Sequence, residues 1–142
     1  YMSFSPACWA RYGDILAREY SDAAYWRGPR LLTDAVCAQH SVGDERRARQ
    51  SLHIHLAALM MFFEDDAPKA RVVGFLRKAA RGFAFGALKM PAANHLVSIA
   101  GIHGATDAAR HDAAVKRYAR AVFDAWQVHH RVFRALIGKV EG

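Results

Sequence analysis

The chain reads as all-α, a compact helical bundle of about five or six helices folded as a single domain over residues 1–142. Apolar residues recur at threes and fours along most of its length, the period of one helix face. No alternating apolar and polar run is long enough to specify a strand, and no internal repeat is visible. Cap and breaker residues also fall at helix-length intervals. A chain of this size buries about two-thirds of its unfolded surface, so one core suffices.

Ser5 followed by Pro6 supplies a cap and a proline in the first turn, opening a helix from about Ala7 to Tyr20. Ser21 or Asp22 can cap the next segment, but Gly28-Pro29 interrupts it, so the main second helix runs from about Pro29 to His40. Ser41 to Asp44 forms a turn, and Asp44 caps a long helix through about Glu64. The end of that helix, Met60 to Phe63, is apolar almost all round, as a helix enclosed by neighbours should be. Pro68 opens a helix to about Arg81, and Gly82 to Asn94 reads as a long loop. Phe83 and Phe85 could fold over a pocket there, with Gly82 and Gly86 as hinges. Ser98 caps a short helix to about His103, and Thr106 or Asp107 caps a long last helix.

Several histidines stand where such helices would normally carry leucine. The stripe Val115, Ala119, Val122, Trp126, His130, Phe133, Ile137, Val140 puts His130 among core residues, with His129 at its flank. His55 lies near the centre of Ala48, Leu52, His55, Leu59, Phe62, whereas His53 points away from that stripe. Thr33, Val36, Cys37 and His40 share a third face. If the three helices pack together, His40, His55 and His130 face a common interior.

Composition narrows the class of protein. A net charge of +7 and a pI near 9.9 fit a nucleic acid, an anionic membrane or an acidic ligand as partner, though the arginines are spread over several polar faces. No apolar run reaches the roughly 18–20 residues needed to span a bilayer, and the start lacks the regions of a secretory signal, so a cytoplasmic location is expected. Met2 is read as the natural start, with no function for Tyr1. Cys8 and Cys37 are expected as free thiols, because there is neither a disulfide framework nor a CxxC pair.

Five pieces of the chain carry a family resemblance: Cys8-Trp9-Ala10-Arg11-Tyr12, Glu19 to Tyr25, Asp34 to His40, Gln50 to Leu56, and Ala125-Trp126-Gln127-Val128-His129-His130. In this order they resemble a bacterial domain-of-unknown-function family of small helical proteins with Gln-His, His-Leu and Trp-x-x-His-His motifs. The resemblance implies that His40, His55, His129 and His130 match the family's histidines, and it implies no known reaction. Gly28-Pro29 stands where the family's first histidine is expected, Val36 replaces a tyrosine and Gly101 an acid. Departures clustered in this way suit a divergent or re-engineered pocket.

The expected function is small-molecule binding in a histidine-containing interior pocket, with acid/base or metal-assisted catalysis. His40, His130 and His129 are the candidate catalytic residues, with Asp34 or another histidine to orient the ring. Trp26, Val36, Cys37, Leu59, Phe62, Trp126 and Phe133 are the expected walls; Tyr25 belongs to the same aromatic set. His40, His55 and His130 would be the ligands if a divalent transition metal is bound. Cys37, one turn before His40, is a nucleophile if an imidazole activates it and otherwise a small buried hydrophobe. The plain alternative for each histidine is a buried ring satisfied by a carbonyl, a carboxylate or a water. A different class of function is a basic module that uses Arg46, Arg47, Arg49, Arg77, Lys78, Arg81, Lys116, Arg117 and Arg120 to contact nucleic acid. An apolar face on the first or last helix could join two copies, so a monomer and a homodimer are both open.

Overall fold

In the computed structural model, which describes residues 2–25 and 29–142, the helices are α1 (Pro6–Ser21), α2 (Pro29–Gln39), α3 (Arg46–Phe63), α4 (Lys69–Ala79), α5 (Ala100–His103), α6 (Ala108–Ala125) and α7 (His130–Glu141). Short 3-10 turns cover Ala23–Tyr25, Ala92–Leu96 and Gln127–His129. Among the described residues there is no strand, only an isolated bridge between Met2 and Ser41.

Local chemistry sets most of the boundaries. Ser5 accepts the Cys8 N–H at 3.1 Å to cap α1, and Asp107 accepts that of Arg110 at 2.8 Å to cap α6. Asp44 does not cap α3 as expected. Its carboxylate is taken by both Nε and Nη2 of Arg49, at 2.8 and 2.6 Å, and Glu45 holds the cap position without a side-chain bond.

The seventh helix arises because the long last helix breaks after Ala125. Trp126 leaves helical geometry (φ −93°, ψ 13°), and its N–H bonds Phe123 O at 3.1 Å. The His130 ring bonds the same carbonyl at 2.7 Å while stacking on Phe123, with centroids 3.9 Å apart. Neither proline nor glycine marks the site, and the apolar stripe continues across it. Periodicity therefore saw one helix where packing makes two.

α2 and α3 form an antiparallel hairpin that also packs on α6, while α4 and α7 close against α3. α1 leans on α5 and on the Ala23–Tyr25 turn. The core joins them through Ile15, Leu32, Leu56, Leu59, Met61, Phe75, Ile102, Phe123, Trp126 and Phe133, each at most 2% exposed. A polar bridge pins the end of the long loop to this core. Gln39 donates to Asn94 O and Val97 O and accepts from Tyr118, while Asn94 accepts from Trp126 Nε1 at 3.2 Å. Buried groups linked in this way specify one register for the Ala92–Leu96 turn.

Candidate active site

Two buried carboxylate–imidazole pairs lie in the interior. The first joins α1 to α6. Glu19 and His111 are both 2% exposed, and His111 Nε2 lies 2.8 Å from Glu19 Oε1. On its other side, Arg18 Nη1 approaches His111 Nδ1 at 3.4 Å, a long contact, while Arg18 holds Ile102 O at 3.0 Å and His103 O at 2.8 Å. A guanidinium only donates, so Nδ1 is the acceptor and the ring proton sits on Nε2, directed at Glu19. Glu19 Oε1 is satisfied in this way. Its other oxygen, Oε2, is buried and has no hydrogen-bond partner among the described residues.

Burial pushes the Glu19 carboxyl above its ordinary value, against the pull of His111 and Arg18. The pair forms part of the wall of a cleft of about 200 Å³, shared with Tyr25, Leu31, Phe62, Asp112, Val115 and Lys116. Tyr25 meets the His111 ring edge-on, at 5.1 Å and 90°. Phe62, 39% exposed, contributes an aromatic wall that also reaches solvent.

The second pair joins α2 to α3. His55 Nδ1 lies 2.7 Å from Asp34 Oδ1, and Arg30 Nη2 meets the same oxygen at 3.1 Å. Cys37 follows Asp34 by three residues on the same side of α2. Burial lowers the His55 pKa, but the bonds and charges of Asp34 and Cys37 outweigh it and raise the value to about 9. The imidazole is therefore an imidazolium at neutral pH.

The three-histidine set does not assemble. His55 meets Asp34, whereas His40 lies six residues beyond Asp34, roughly 9 Å of helix rise, just past the end of α2 where the chain turns towards α3. There its ring stacks on Phe4 with centroids 4.1 Å apart, burial lowers its pKa, and Nδ1 is buried without a partner among the described residues. It lines a different cavity, of about 350 Å³, with Cys8, Gln39, Asn94, His95 and Ser98. His130 sits at the α6–α7 break with its ring on a backbone carbonyl, and His129 reaches Lys89 O at 2.8 Å, tying down the long loop. Among the described residues no three His, Cys, Asp or Glu side chains are grouped to hold a metal ion. The ligand set His40, His55, His130 is thus dispersed by the antiparallel hairpin and the break before His130.

The expected walls divide similarly. Val36, Leu59, Trp126 and Phe133 are fully buried core, Cys37 is buried on α2, and Phe62 borders the Glu19 cleft. Trp26 lies outside the described residues. His53, expected to point away from the Ala48–Phe62 stripe, is nonetheless 3% exposed and donates to Arg49 O at 2.7 Å. The reason is the loop after α4, whose Phe85 covers that side of α3 with its ring 5.3 Å from His53. An irregular cover of this kind leaves no trace in helical periodicity.

Glu19 and His111 were the residues that sequence reasoning missed, although a signal was present. His111 continues the α6 stripe one turn before Val115, and Glu19 lies one turn after Ile15 on α1. A charged or imidazole group at such a core position is seldom buried without a partner.

A family of unknown function, DUF5946, matches residues 2–127, and the chain belongs to it. Neither a curated protein nor a solved structure matches.

Proposed function

We propose that this DUF5946 member binds a small molecule in the Glu19–His111 cleft and performs acid/base chemistry on it. The observation that carries the reading is Glu19 Oε2, a buried carboxylate oxygen left without a partner among the described residues, in a residue that borders a cleft. Leaving a buried acceptor unsatisfied costs about 1–3 kcal/mol, a cost that a bound donor would relieve. Arg18 orients His111, and His111 orients Glu19, so the free oxygen has a fixed direction. A carboxyl held above its ordinary range is suited to both giving and taking a proton. Leu31, Phe62 and Val115 supply apolar walls, and the roughly 200 Å³ volume selects a compound smaller than drug size.

Glu19→Gln is the decisive variant because it keeps the acceptor facing His111 while replacing Oε2. A thermal-shift screen with small alcohols, amines and amides should give ligands that raise the Tm of the natural chain and not that of Glu19→Gln. The variant's own stability should change by no more than about 1 kcal/mol. Ligands that stabilise both proteins equally would contradict the reading.

The alternative, a basic module for nucleic acid or another anionic partner, draws less support from the surface. Arg49, Lys116 and Arg120 are already paired, with Asp44 at 2.6 Å, Asp112 at 3.0 Å and Asp124 at 3.1 Å. Binding at low salt that falls steeply as salt is added would favour it.

A further inference from the structure

We propose that the cavity beside His40 is a second binding site, one that takes a small uncharged amide. Its volume is about 350 Å³, and it shares no residue with the Glu19 cleft.

The first observation concerns the histidines. His53, His55, His103, His111, His129 and His130 each place a ring nitrogen in a hydrogen bond. The remaining two, His40 and His95, make no such bond among the described residues, and both border this cavity. At His40 the lack is costly, because Nδ1 is buried. The second observation is charge. None of the described residues around the cavity is Asp, Glu, Lys or Arg, although these make up 23% of the chain. A charged guest would give up water without meeting an opposite charge, so the cavity favours a neutral one.

The walls are set before a guest arrives. Ser3 N–H donates to His40 O at 2.9 Å, and Phe4 stacks on the His40 ring. Gln39 donates to Asn94 O and Val97 O, and Asn94 Nδ2 donates in return to Gln39 O at 2.9 Å. With Tyr118 and Trp126 also bonded to them, the amides of Gln39 and Asn94 are spent on the protein. The imidazoles remain for the guest. Burial lowers the His40 pKa, so its ring is neutral at neutral pH and offers one N–H and one bare nitrogen. An amide carries the matching donor and acceptor side by side, and Met90, Val97 and Ile99 supply apolar surface for its body. A metal ion fits less well, since no three histidine, cysteine or carboxylate side chains of the described residues are grouped to hold one.

The test titrates the full chain at neutral pH with benzamide, benzoate and benzamidine, probes of one shape and different charge, and follows the histidine ring signals by NMR. Benzamide should move the His40 and His95 signals, leave those of His111 in place, and bind about tenfold more tightly than either charged probe. His40→Phe, which keeps a ring to stack on Phe4, should weaken benzamide about tenfold. His95→Ala, at an exposed position, should weaken it too and decides the matter if His40→Phe does not fold. Charged probes that bind as tightly as benzamide would overturn the proposal. So would benzamide binding that neither variant weakens, or benzamide that leaves the His40 signals unmoved.

Discussion

The α1–α6 pair and the α2–α3 pair are built from the same two groups, a buried carboxylate and an imidazole, yet the arginine approaches from opposite ends. At Glu19–His111 it contacts the imidazole, and the carboxylate, which borders the cleft, keeps a buried oxygen without a partner among the described residues. At Asp34–His55 it contacts the carboxylate, at the same oxygen that His55 holds. The position of the arginine therefore decides which atom is left available. In the first pair that atom is a carboxylate oxygen suited to a ligand's proton, whereas in the second the carboxylate is engaged by both cations.

The contrast has a direct energetic consequence. Removing Asp34 strands an imidazolium and a guanidinium, so Asp34→Ala should cost about 3–5 kcal/mol in urea unfolding at pH 7. Glu19→Gln strands nothing new. If both substitutions cost the same, the two pairs are equivalent and the distinction fails.

The pairs should also separate with pH. The His55 value is raised from 6.5 to about 9, so the imidazolium holds its proton more tightly in the folded chain than in the unfolded one. That contribution is whole below about pH 6.5 and is lost as pH rises through about 9; at most it amounts to about 3 kcal/mol. Glu19 is shifted in the same direction from 4.5, so its contribution is present below that value and lost above it, in a more acidic window. His40 and His53 act oppositely. Burial depresses both, so their contribution is present above about pH 6.5 and fades as pH falls. Stability measured from pH 6 to 10 should decline on the alkaline side, and the decline should be much reduced in Asp34→Asn. A decline of equal size in that variant would remove His55 as its source.

Much of this fold was legible because its rules are local. Ser5-Pro6 and Asp107 mark helix starts by cap and ring geometry that no tertiary contact overrides. His55 was correctly placed against the interior, and Asp34 was a candidate for orienting an imidazole. The pairing of His55 with Asp34, by contrast, depends on the register of the α2–α3 hairpin. His130 illustrates the limit in another way. Its stripe position was read accurately, but the ring serves the helix break, because packing freed the Phe123 carbonyl for a second bond. The burial of His53, away from its helix's stripe, was not legible because its cover comes from the irregular segment around Phe85. The Glu19–His111 pair went unread because its members lie 92 residues apart and carry no shared motif.

Nitrogen NMR of the histidine rings at neutral pH tests the central contrast most directly, since each ring nitrogen reports whether it carries a proton. The account predicts a bare Nδ1 and a protonated Nε2 on His111, accepting from Arg18 and donating to Glu19, together with both nitrogens protonated on His55. A proton on His111 Nδ1, or a bare nitrogen on His55, would contradict it.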